Sequence, residues 1–103
     1  MADFILSPLA EDDLGEIVDY IARDDPAASR RVLADIRAAI DMLVAQPNAG
    51  HLRGDLVPDQ AFRFWRVHSY MIVYLPETRP LAIARVLSGH RDIEAILTDP
   101  SDG

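Results

Sequence analysis

Six consecutive apolar residues, Tyr70-Met71-Ile72-Val73-Tyr74-Leu75, constrain this chain more than any other stretch. His68-Ser69 precedes the run and Pro76 follows it, so its length suits a strand rather than a helix. Strand alternation sends Tyr70, Ile72 and Tyr74 to one face and Met71, Val73 and Leu75 to the other. A strand apolar on both faces belongs at the centre of a sheet, with cover on both sides. Phe62 to Val67 lies just before it and Leu81 to Leu87 just after, each separated by a turn-like segment. The three read as consecutive antiparallel neighbours.

Upstream, the apolar period changes from strand to helix. Asp3 to Leu6 reads as a short first strand. Ser7-Pro8 then opens a helix: serine accepts from a free amide of the first turn, and proline at the first helical position loses no needed N–H. Glu11, Asp12 and Asp13 suit the positive end of its dipole, and Leu14, Ile17, Val18 and Ile21 form its apolar stripe. Gly15 either weakens this helix or permits close packing. Asp24-Asp25-Pro26 breaks it and caps a second helix, with Val32, Leu33, Ile36, Ala39, Ile40 and Leu43 in register. Pro47-Asn48-Ala49-Gly50 ends that helix. Residues 8–46 thus read as a helical hairpin.

The order β-α-α-β-β-β predicts an α+β domain, an antiparallel sheet with an N-terminal strand and the hairpin packed on one face. Residues 1–103 are enough for one such domain. The rest of the chain holds only a short helical turn near Ile93–Leu97 and a frayed tail, the two making up residues 92–103. No remaining element is large enough to cover the second face of the sheet, which leaves that face to a partner.

Composition narrows the chemistry. Cysteine is absent, which excludes disulfides, thiolate nucleophiles and cysteine-based zinc sites. His51, His68 and His90 stand at no metal-ligand spacing, so neither metal nor cofactor is expected. No run is long and apolar enough for a membrane, and the start lacks the basic residues of a signal peptide; a cytoplasmic protein with no membrane contact is the expectation. The net charge of −7 is uneven: residues 60–91 hold five arginines and Glu77, while residues 1–25 hold eight acids and Arg23. Every basic residue is arginine, through genome bias or through a need for planar, forked donors. A chain this acidic would be repelled by nucleic acid at long range, so no direct nucleic-acid binding is expected of it alone.

Five motifs in order make the chain resemble the ParE branch of the RelE/ParE toxin superfamily. They are Ser7-Pro8 with Ala10, Asp13-Leu14 and Ile17; Tyr20-Ile21-Ala22 with Asp25-Pro26-Ala27-Ala28; Pro47-x-x-Gly50-x-x-Arg53; Arg63-x-Trp65-x-Val67-x-x-Tyr70-x-Ile72-x-Tyr74; and Arg85 to Asp92. Two positions depart from the family pattern. Ser88 stands where members often carry histidine before the glycine, and the hairpin turn is His68-Ser69 where glycine is common, which suggests a longer or differently shaped turn.

The resemblance implies the toxin of a type II toxin–antitoxin system, neutralised by a ParD-like antitoxin in a hetero-oligomer and inhibiting DNA gyrase by binding, without catalysis of its own. The superfamily also holds RelE-like ribosome-dependent mRNA endonucleases, the alternative. Those ribonucleases carry lysines on the first hairpin strand, an arginine after the hairpin tyrosine, and a tyrosine or histidine near the C-terminus. Here the matching positions are Phe62 and Phe64, Met71, and a point near Leu97; Arg91 alone matches. No catalytic residue is therefore expected.

Antitoxin- or target-binding candidates are Arg63, Trp65, Arg66, Tyr70, Arg85, His90 and Arg91. The arginines either receive an acidic antitoxin segment, contact the target, or pair with the chain's own acids, such as Asp92 or those of the first helix. Arg85 interrupts an apolar strand and needs a partner there. Trp65 is core or a binding anchor. His90 is an acid/base group or an exposed turn residue.

Overall fold

The computed structural model describes residues 3–52 and 61–88. Its elements run β1 (Phe4–Leu6), α1 (Pro8–Ala22), α2 (Pro26–Ala45), a 3-10 turn (Pro47–Ala49), β2 (Arg63–Val67), β3 (Tyr70–Leu75) and β4 (Leu81–Ser88). This is the expected α+β order. The part of the loop around Arg53 and Pro58, the turn near Ile93–Leu97 and the tail lie outside the described residues.

Both helix starts follow from their first residues. Ser7 Oγ accepts from the Ala10 amide at 3.0 Å, and an Asp25 carboxylate oxygen accepts from the Ala28 amide at 3.1 Å. Pro8 and Pro26 follow those caps, where their missing N–H costs nothing. Gly15 faces open space, so it serves no close helix contact.

The sheet order is β1-β4-β3-β2, with β3 and β4 inside. β2, β3 and β4 pair antiparallel as expected, but β1 pairs parallel with β4, making the sheet mixed. Strand parity explains this. α1 leaves the sheet in the sense of β1 and α2 brings the chain back, so β2 starts in the sense of β1. β4, two strands later, shares that sense, and a strand beside it at the edge must be parallel.

The turn between β2 and β3 is no longer than a standard hairpin. Val67 pairs with Tyr70, so His68 and Ser69 make a two-residue turn. Such turns require left-handed backbone. His68 supplies it with φ of 56°, at a steric cost of about 1–2 kcal/mol that glycine would avoid. Two contacts hold the strained residue: Arg66 Nε donates to the His68 carbonyl at 3.0 Å, and the His68 ring meets Asp35 of α2 at 2.7 Å.

The main core lies between the sheet and the helices. Ile36, Ile40 and Leu43 of α2 pack with Ala10, Ile72, Tyr74, Leu81, Ile83 and Val86. A second cluster, Phe64, Val73 and Leu87 with Phe62, Met71 and Ala84 around them, lies on the opposite face. That face was expected to await a partner. Its central residues, Phe64, Val73 and Leu87, are at most 1% exposed, while Phe62, Met71 and Ala84 around them are only partly buried. Apolar side chains of this size are too costly to leave wet in a domain this small, about 1.5–3 kcal/mol each.

Candidate functional site

The short first strand creates a local problem. β1 ends at Leu6, but β4 runs on to Ser88, so the backbone groups along that edge of β4 lose their ladder partners. The start of α1 replaces them. The Ser7 amide donates to the Ile83 carbonyl at 3.0 Å, and Ser7 Oγ donates to the Ala84 carbonyl at 2.7 Å. Nearly two turns on, an Asp13 carboxylate oxygen accepts from the Val86 amide at 3.0 Å. The same carboxylate takes Arg85 in a two-pronged ion pair, with Nε at 2.8 Å and Nη2 at 2.9 Å. The side chains of Asp13 and Arg85 are 8% and 18% exposed.

Asp13 is therefore the partner that Arg85 requires in its apolar strand. It is one of the first-helix acids that the sequence offers as partners for the sheet arginines, though that reading does not single it out from Glu11 and Asp12. The signal was present: Ala10, Asp13, Leu14 and Ile17 share one helix face, and an acid on an apolar face pairs with a base in an apolar strand.

Arg63 is also engaged. Its Nη1 donates to the Gly50 carbonyl at 2.7 Å and to the Asn48 carbonyl at 3.3 Å, tying the loop after α2 to β2. Tyr74 closes the same loop from β3. Its hydroxyl donates to the Pro47 carbonyl at 2.6 Å and accepts from the Gly50 amide at 2.9 Å. Any side chain at Gly50 would overlap the Tyr74 ring and hydroxyl, which accounts for glycine there. Burial raises the Tyr74 pKa above its ordinary 10.0, against the opposing pull of the Gly50 amide and Arg63. The sequence showed Tyr74 only as a core-facing strand residue; nothing in its spacing announced the hydroxyl's partners.

The other candidates are spread over the molecule. Trp65 is half-buried against the helix-side core and stacks on His51, with ring centroids 6.2 Å apart and planes 7° from parallel. Arg66 is exposed and holds the β2–β3 turn. Tyr70 is half-buried and lines a groove of about 520 Å³ with Asp13, Glu16, Ile17 and Tyr20 of α1 and the end of β4. His90 and Arg91 lie outside the described residues.

A second groove, of about 430 Å³, is mostly apolar. Phe4 and Leu6 of β1, Leu14 of α1, and Leu33, Ile36 and Ile40 of α2 line it, with Arg30 and Arg37 also on its wall. The Arg37 guanidinium sits 4.9 Å from the centre of the Phe4 ring. Sequence reasoning named none of these as site residues, because β1 and α2 become neighbours only in the folded chain.

Among the described residues no helix is long and apolar enough to cross a membrane, and no three His, Asp or Glu side chains gather as a metal site would need. Comparison with curated proteins found no match. Among family models, that of the ParE toxin of the type II toxin–antitoxin system, parDE, matches residues 4–93.

Proposed function

Because this chain belongs to the ParE toxin family of type II toxin–antitoxin systems, we propose that it is neutralised by a ParD-like antitoxin and inhibits DNA gyrase by binding. One observation carries the choice of binding over catalysis. Where ribonuclease relatives carry phosphate-gripping groups, this chain has Phe62, Phe64 and Met71, and these three pack in one apolar cluster on the sheet. Cleaving RNA requires positive charge on the phosphate and an acid or base at the reacting oxygens. An apolar cluster supplies neither. The nearby cations Arg63 and Arg85 are engaged with the chain's own carbonyls and with Asp13.

The test is a supercoiling assay with purified toxin and gyrase, run beside primer-extension mapping of transcripts after induction. Loss of supercoiling, relieved by the antitoxin, is the expected result. Specific transcript scission that disappears when the chain's own side chains are changed would place it instead with the RelE-like endonucleases.

A further inference from the structure

The two grooves differ in charge. The one beside β1 carries Arg30 and Arg37 on its wall, whereas among the described residues no arginine or histidine lines the one between α1 and the end of β4. Asp13, Glu16, Ile17 and Tyr20 line this second groove from α1, at the i, i+3, i+4 and i+7 spacing of one helix face. Its volume of about 520 Å³ falls in the range of sites that take a small ligand or an anchoring side chain.

The helix around it is acidic. α1 holds five acids and no base. Asp13 is neutralised by Arg85, but Asp12 and Asp19, one turn either side of Glu16, are exposed and make no ion pair among the described residues. Tyr20 lines the groove yet is 71% exposed, and Tyr70 of β3 lines it half-buried. The combination selects among cations. A metal ion needs several ligands converging on one point, and no three carboxylates or imidazoles converge among the described residues. A guanidinium asks for something else: it lies flat on an aromatic ring while its forked donors reach a carboxylate beside that ring. Tyr20 and Glu16, one helical turn apart, offer that pair.

We propose that this groove receives an arginine side chain projecting from a basic surface of the target protein. Its aliphatic stem lies along Ile17, and its guanidinium stacks on Tyr20 and donates to Glu16. Asp12 and Asp19 draw the basic surface toward the helix before contact is made. A protein that handles DNA presents arginines and lysines to the phosphates, so it carries the surface that an acidic helix complements. This inference rests on the reading that the chain acts by binding gyrase.

The experiment has two arms. In the first, N-acetyl-arginine amide is titrated against the full chain by NMR. The ring signals of Tyr20 and Tyr70 should shift together, and further than with the lysine analogue at equal concentration. In the second, gyrase binding is measured for the parent and three variants, none of which should unfold the chain, since Asp12, Asp19 and Tyr20 are exposed. Tyr20→Ala should weaken binding about tenfold or more, and Tyr20→Phe, which keeps the ring, about threefold or less. Asp12→Asn/Asp19→Asn should slow association about threefold or more at low salt, and much less at high salt. Gyrase bound by Tyr20→Ala as tightly as by the parent overturns the proposal and leaves the gyrase reading standing. Rings that answer both probes equally, or neither, overturn the choice of arginine. Ring shifts that grow with the chain's own concentration, without a probe, assign the arginine to a second copy instead. A parent chain that binds no gyrase removes the reading itself, and with it the target as the arginine's source.

Discussion

The two helices begin with the same local device and end up held in opposite ways. Each has an oxygen-bearing cap followed by proline, with cap distances of 3.0 and 3.1 Å. Yet α1 buries only Ala10 and Asp13, whereas α2 buries Ile36, Ile40 and Leu43 along with Ser29. α1 is pinned to β4 by polar bonds through Ser7 and Asp13; α2 is held chiefly by aliphatic packing. Polar pins are directional and set where a helix starts and how it is turned. Packing is tolerant of angle but sensitive to volume. A helix that replaces missing strand partners needs the first kind of attachment.

The sharpest way to break this comparison is to remove one fastening from each helix. Asp13→Ala removes both prongs of the ion pair to the largely buried Arg85 and takes the acceptor from the Val86 amide; about 3–5 kcal/mol of stability should be lost in urea titration. Adding Arg85→Met should restore part of it, because a buried guanidinium that has lost its carboxylate is then gone. Ile40→Ala should cost about 2–5 kcal/mol through transfer and cavity terms, with no such rescue available. If Asp13→Ala cost less than about 1 kcal/mol, the polar description of α1 would be wrong.

Tyr74 extends the comparison to the far end of α2, where the loop is again held by polar bonds. Tyr74→Phe leaves the Gly50 amide and Pro47 carbonyl short of a partner, a loss of about 1–3 kcal/mol. The pH dependence has a defined sign. Burial raises this pKa above 10.0, so an unfolded tyrosine ionises first and the folded state holds the extra proton. The contribution is complete below pH 10 and falls as pH rises through the folded value. Denaturation midpoints measured across alkaline pH should decline less steeply in the variant than in the parent.

The smallest effect separates the two caps. Asp25→Ala removes one exposed bond and should cost about 0.5–1 kcal/mol. Ser7→Ala removes the cap and the bond to the Ala84 carbonyl together, and should cost about 1–2 kcal/mol. Equal losses would mean that the link from Ser7 to β4 contributes nothing.

Much of this architecture was legible beforehand, for local reasons. Ser7-Pro8 and Asp25-Pro26 start helices because a short side chain can reach an amide three residues away, wherever the helix later packs. Tyr70 to Leu75 had to be an inner strand because water is excluded from both its faces. The candidate site was less legible. Arg85 was seen to need a partner, but Asp13 is 72 residues away in sequence. Arg63 was open to an antitoxin, a target or the chain's own groups; the structure ties it to two loop carbonyls, atoms that every residue carries and no sequence pattern marks. The groove beside β1 was invisible for the same reason.

Sequence by itself determined the order and kind of the elements, the helix caps, the inner strand and the family, because each depends on neighbours within a few residues or on motifs met in order. Tertiary structure alone decided that β1 runs parallel to β4, that Phe64, Val73 and Leu87 are buried at the centre of the sheet's second face, and which carbonyls and carboxylate Arg63 and Arg85 meet. Those outcomes depend on distances between residues far apart in the chain, and a linear text carries no distances.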